Sequence, residues 1–258
     1  MSLFEPNDMP RINSRKAHPP VNLKVMSDGP LQPSLVEVAK AFHQEGTTHV
    51  EIVFETSPTI YNRVAQGEIA DVLIIQPKFI TELVKSGKLV PGEYPVIARV
   101  GLGLMARSDA HPVDVSDTES FKKALIDAES LVFNDVASGN YFAKLLRRLG
   151  ISEAVKDKVV RAESHIVFQH IINGACGAIG VATIPLINAT KGVRLIGSLP
   201  AELQMYIQYA AALISTATSP QAGSAFIRFL RSPEATAAFS NTRVESSPRA
   251  VRSSSRHQ

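Results

Sequence analysis

The chain has 258 residues, 45% of them hydrophobic, 20% charged and 6% aromatic, with no tryptophan. That length is long for one compact core and comfortable for two, and so few aromatic residues argue against a nucleic-acid stacking surface or a sugar platform. The formal net charge of +3 comes from the ends: residues 1–20 and 241–258 hold seven of the 27 Lys and Arg against three of the 24 Asp and Glu, so the rest shows no polyanion-binding excess.

Residues 1–20 are polar and carry Pro6, Pro10, Pro19 and Pro20. They read as a disordered leader with no apolar segment of the secretory kind. Val21–Met26 is a short apolar strand that stops at the turn cluster Ser27-Asp28-Gly29-Pro30. A helix opens at Pro33, with Leu35, Val38, Ala39 and Phe42 at helical spacing. Val50–Phe54 is a second strand, 55–59 a second polar break, and Ile60 and Val64 mark a helix that Gly67 closes. Ala70–Ile75, almost all apolar, suits a strand buried on both faces. A helix follows over Phe79–Ser86.

Val96–Ala106 is a long apolar stretch able to carry the chain out of one lobe into another. Beyond it the spacing predicts a helix at Thr118–Asp127, a strand at Ser130–Phe133, a helix at Asn140–Leu149 and a strand at Lys158–Val160. A helix at Ile166–Asn173 and strands at Ala178–Ala182 and Val193–Ile196 complete the second unit. Gln204–Ile214 is again long and apolar, a return crossing, and Pro220–Arg231 and Pro233–Phe239 are helices with Pro first. The expectation is a two-lobed α/β protein, each lobe a mostly parallel sheet flanked by helices. Its first lobe is 21–97 with 206–240, its second 98–205, and its Ser/Arg-rich tail 241–258 is disordered.

Ligands of parallel sheets sit beyond the carboxyl ends of the strands. Loops 27–30, 56–59 and 137–140 each precede a predicted helix, whose free backbone N–H groups and positive end suit an anion. Thr56, Ser57 and Ser138 add hydroxyl donors. Taken singly, each of these is accounted for by helix capping. Asp28 sits oddly in such a site unless it caps a helix, is protonated or serves as a base. His165 is equally a protonated anion contact, an acid or base, or a solvated surface group. Arg63, Arg99 and Lys78 fall near the cleft as surface charges. The lone Cys176 forbids an internal disulfide and, between Gly174 and Gly177, reads as a small buried residue. No metal spacing, Walker pattern or dinucleotide loop is present; Gly101-Leu-Gly103 lacks the third glycine.

Three segments together resemble the molybdate-type substrate-binding proteins of ABC transporters, a branch of the type II periplasmic binding-protein fold. They are VMSDGPL at 25–31, FETSPT at 54–59 and GEIADVLII at 67–75. NDVASGNYFAKLLRRLG at 134–150, AIGV at 178–181 and FLRSPEATAAF at 229–239 fit the same order. The resemblance implies an oxyanion held from both lobes, with Ser57, Ser138, Gly139, Asn140, His165 and Thr183 at ligand positions; Ser27, Asp28, Gly29 and Thr56, from the helix-end loops, complete the expected ligand set. Pro30 and Thr183, where that family has serine and often tyrosine, point to an anion of another shape, a small carboxylate.

The function expected is therefore a solute-binding protein that closes on molybdate, tungstate or a small carboxylate for ABC-type uptake. The alternatives are an aconitate-isomerase-like enzyme with Asp28 or His165 as base, and a cytoplasmic anion sensor. No cofactor or metal, no nucleic acid and no membrane span is expected, and the partners are a small anion and a permease, with the protein a monomer. As written the chain reads as cytoplasmic; the family role would make it periplasmic.

Overall fold

The computed structural model describes residues 21–45, 48–164, 166–246 and 250–251. Three parallel strands open the fold: β1 (Val21–Asp28), β2 (Thr48–Glu55) and β3 (Val72–Ile75). β1 lies between the other two, in register from Val21 opposite Thr48 to Asp28 opposite Glu55. Their helices are α1 (Gln32–Glu45), α2 (Ser57–Ala65) and α3 (Pro77–Lys85). Leu35 and Val38 of α1, Ile60 and Val64 of α2, and Ile80 and Leu83 of α3 are the buried positions, each pair on one helical stripe.

β4 (Tyr94–Arg107) then runs for 14 residues. Its first part pairs antiparallel with β9 (Tyr206–Leu213), and its second with β7 (Ala178–Thr183) and β8 (Val193–Ser198). β5 (Ser130–Phe133) and β6 (Val159–Arg161) extend the second sheet in parallel with β7. The strand order is β2-β1-β3-β9-β4-β7-β5-β6. This is the two-lobed α/β architecture that the alternation predicts, with two crossings, one along β4 and one ahead of β9. Helices α4 (Thr118–Asp127), α5 (Ala137–Arg148), α6 (Ser152–Val155), α7 (Ile166–Asn173) and α8 (Ile184–Ala189) belong to the second lobe. Helices α9 (Pro220–Phe229) and α10 (Pro233–Asn241) return to the first, where Phe226 meets the Phe42 ring edge-on at 5.1 Å.

At Leu102, where β4 changes partners, a side chain completes the ladder. Gln204 accepts from the Leu102 N–H at 2.9 Å and donates to its carbonyl at 3.0 Å. A second buried polar tie is Asp71, 2% exposed, which accepts from the Lys24 N–H at 2.9 Å, the Thr218 hydroxyl at 3.1 Å and the Ser219 N–H at 2.8 Å. It fastens the start of β3 to β1 and to the entrance of α9.

Four sequence expectations need correction. Residues 241–246 are not a disordered tail: α10 ends at Asn241, and β10 (Glu245–Ser246) pairs with β4 while Glu245 bonds Arg99 at 2.7 Å. Val244, 2% exposed in the core, anchors the segment, and the strand-edge pairing with Arg99 follows it. β11 (Ala250–Val251) also pairs with β4; the rest of the tail, and the leader, lie outside the described residues. Cys176 is exposed, not buried, because it lies in the tight turn before β7, where its sulfur meets the Arg107 guanidinium. Helix α5 starts at Ala137 rather than Asn140. Helix α8, with Pro near its start, has no counterpart in the expected elements. Among the described residues no helix is long and apolar enough to cross a membrane, and no group of three His, Cys, Asp or Glu could hold a metal.

Phe226, fully buried against Phe42, tests the docking of α9. Phe226→Ala is expected to lower the unfolding free energy by roughly 3–5 kcal/mol. Ile69→Ser, at a position 58% exposed, should stay within about 0.5 kcal/mol. Urea unfolding of the two variants beside the wild type checks both.

Candidate functional site

The parallel strands of both lobes end on one cavity of about 360 Å³. From the first lobe it receives Asp28 and Gly29 after β1, Glu55, Thr56 and Ser57 after β2, and Gln76 after β3. From the second come Asn134 and Ser138 after β5, Ser164 after β6, and Thr183 at the end of β7. This is the strand-end position where open parallel sheets take ligands. An apolar wall of Val167, Phe168 and Leu186 faces the first-lobe groups, and Ile207 and Tyr209 enter from β9. No Lys, Arg or His is among the described lining residues.

Asp28 organises the first-lobe side. Its Oδ2 accepts the Ser57 hydroxyl in a very short bond, the Ser57 N–H at 3.2 Å and the Gln76 side-chain amide at 3.5 Å. The Ser57 oxygen in turn accepts the Gln76 backbone N–H at 3.1 Å, so its own proton is committed to Asp28. Burial, the largest influence, lifts Asp28 above the usual 3.8, against the lowering pull of the bonds from Ser57, Gln76 and the Gly29 amide. Thr56 caps α2, accepting the Thr59 N–H at 3.4 Å.

Asn134 does the corresponding work in the second lobe. Its side-chain oxygen accepts from the Ser138 hydroxyl at 3.1 Å and from the N–H groups of Gly139 at 3.0 Å and Val136 at 3.2 Å. Gly139 is a packing glycine: a Cβ there would stand 1.9 Å from the Asn134 carbonyl oxygen. The Thr183 hydroxyl is buried and has no partner among the described residues.

The structure therefore brings together Asp28, Gly29, Thr56, Ser57, Ser138 and Thr183 from the expected set. It leaves out Ser27, which is buried and donates to the Asp28 carbonyl at 3.3 Å. Gly139 packs on Asn134, and Asn140 is turned outward to the Asp135 carbonyl at 2.7 Å and to Arg161 at 2.9 Å. His165 lies outside the described residues. The nearby cations are engaged elsewhere: Arg63 with Glu68 and Glu55, Arg99 with Glu245, and Lys78 over the Phe79 ring. The expected row of free helix-end N–H donors is also reduced, because Ser57 and Gly139 spend theirs on Asp28 and Asn134. Gln76, Asn134 and Tyr209 were not among the expected site residues. The strand-end rule that selected 27–30 reaches the first two.

A family model for bacterial extracellular solute-binding proteins matches residues 23–242. The chain belongs to that family. Within it the likeness is to the molybdate-type branch, as the sequence motifs imply. The periplasmic molybdate-binding protein of Azotobacter vinelandii superposes with a TM-score of 0.71 at 20% identity, over 86% of this chain and 98% of that one. The molybdate-binding protein ModA of Rhodobacter capsulatus is 26% identical over 207 residues, 77% of this chain and 78% of the relative. An aconitate isomerase of Pseudomonas sp. is 26% identical over 240 residues, 90% of each.

Asp28 gives a pH signature whose sign is fixed by the direction of its shift. With the folded pKa above the unfolded one, the folded protein holds a proton that the unfolded chain has already lost, so stability falls as pH rises from 3.8 through the raised value. Asp28→Asn removes that loss and keeps an acceptor for Ser57. The variant is expected to be more stable than the wild type at pH 7, with the gap closing as pH falls toward 4. Urea unfolding at both pH values reads it, and equal stabilities at pH 7 would contradict it.

Proposed function

We propose that this solute-binding protein takes a small carboxylic acid into the cleft between its lobes, for delivery to an ABC-type permease. The observation that carries the proposal is Asp28. A carboxyl group in the wall, with Ser57 and Gln76 directed at it, repels a tetrahedral oxyanion that needs donors on every side. It suits a carboxylate, because two carboxyl groups in contact share one proton readily. Burial raises the affinity of Asp28 for that proton. Contacts from both lobes favour the closed form only when ligand is present, so binding shifts the population toward closure.

A second reading is favoured by the same group. A buried carboxylate of raised pKa is a stronger base than a solvated one, and the likeness to an aconitate isomerase spans most of both chains. In this reading Asp28 removes a proton from a carbon next to the double bond of an unsaturated acid. The electron pair is delocalised through the double bond into a carboxylate, and the proton returns at the far carbon. Atoms and charge balance without a cofactor.

Calorimetric titration with molybdate, tungstate, sulfate, succinate, citrate and trans-aconitate tests the binding reading. A carboxylate is expected to bind, and Ser57→Ala to weaken it by about tenfold or more. Binding of molybdate or tungstate with no carboxylate would sink it. For the second reading, trans-aconitate is incubated with the protein in heavy water and followed by proton NMR. Isomerisation or deuterium incorporation that disappears in Asp28→Asn is the expected result; a spectrum unchanged over hours removes the enzyme.

A further inference from the structure

Tyr209 stands apart from the strand-end groups of the cleft. It lies on β9 opposite Ala98, beside a register shift in the β4–β9 ladder between Val96 and Ala98. Such irregularities re-aim side chains. Ile207 and Tyr209, two residues apart and so on one face of the strand, both line the cavity. Tyr209 heads the largest fully buried side chains, at 1% exposure.

A buried phenol normally finds an acceptor. Tyr94 donates to the Val90 carbonyl at 3.0 Å, and Tyr141 to the Leu203 carbonyl at 2.7 Å. Tyr209 instead lines the cavity. Burial and the neighbouring Asp28 charge hold it well above the ordinary tyrosine range, so it is a neutral O–H donor at every physiological pH. Asp28, Ser57, Gln76 and Tyr209 thus stand together among the polar groups of the lining, with Asn134, Ser138, Ser164 and Thr183 contributed by the second lobe. Val167, Phe168 and Leu186 present hydrocarbon to the same space. A ligand with oxygens all round would leave some of them against that wall without partners. An organic acid with a hydrocarbon portion fits both kinds of lining.

We propose that Tyr209 is a specificity-determining ligand contact, its hydroxyl donating to a carboxylate oxygen of an organic acid whose hydrocarbon part packs on Val167, Phe168 and Leu186. This rests on the carboxylate reading of the cleft. Placed on β9 between β3 and β4, the residue brings a group from within the first lobe's sheet to the ligand.

The chain has five tyrosines and no tryptophan, so its near-ultraviolet absorbance above the phenylalanine region is tyrosine absorbance. Wild type, Tyr209→Phe and Tyr206→Phe, the last at a residue 42% exposed and outside the cleft, are titrated with succinate, citrate and trans-aconitate. Affinity is followed by calorimetry and ligand binding by difference absorbance. Expected for Tyr209→Phe is a loss of about tenfold or more in carboxylate affinity, with the wild-type difference signal gone and the melting temperature within a few degrees. Tyr206→Phe should keep both affinity and signal. If Tyr209→Phe binds as tightly as the wild type, or keeps the difference signal, Tyr209 is not a ligand contact. If the wild type binds none of the three acids, the carboxylate reading fails and this inference falls with it.

Discussion

Fourteen consecutive residues of β4 have to satisfy two sheets. From Val96 to Gly101 the strand pairs with β9, and from Leu102 to Arg107 with β7 and β8. Every other element is placed by that strand. β9 joins it to β3 and through β3 to β1 and β2; β7 joins it to β5 and β6. The parallel strands on the two sides consequently end over a common space, and the cleft exists because one strand belongs to both walls' sheets. Its own burial follows: of its residues only Val100's neighbour Arg99 is substantially exposed, and that guanidinium is covered by Glu245 and stacked over Tyr206.

Within the cleft, the arrangement around Asp28 works against stability. Taking a carboxyl group out of water is unfavourable, and three bonds on one oxygen compensate only in part, as the upward shift of its pKa records. The Thr183 hydroxyl, without a partner among the described residues, adds to that burden from the second lobe. Unfavourable groups of this kind collect where a ligand completes their bonds. No Lys, Arg or His among the described lining residues offsets the Asp28 carboxyl.

How much of this was legible in the sequence depends on the range of the interaction. Helices α4 and α7 and strand β5 have the residue bounds that spacing alone predicts, because local period and capping set them. The strand-end rule likewise reached Asp28 and Ser57, since a polar turn after an apolar run is visible in one dimension. It could have named Gln76 and Asn134, which follow β3 and β5 in the same way, had the ends of all the strands been weighed alike. Tyr209 was beyond it: inside an apolar crossing, the facing of a residue depends on a register shift that only the pairing reveals. At Gly139 the lack of a side chain serves contact with Asn134, a long-range demand that the turn sequence does not display. The order of residues 241–246 likewise depends on a partner, Arg99, almost 150 positions away.

One rung of the β4 ladder is made by a side chain. Gln204 grips both polar groups of Leu102 at the point where the strand leaves β9 for the second sheet. Backbone rungs tie two chains rigidly, since both partners are fixed by their own neighbours. The Gln204 amide is itself fixed, since its oxygen also accepts the Met205 N–H at 3.0 Å. The Leu102 carbonyl also accepts the Leu199 N–H at 3.2 Å, and Gly101 beside it presents only hydrogen to Gln204 and Tyr206. A side-chain amide therefore spans the seam at which one strand passes from the first sheet to the second.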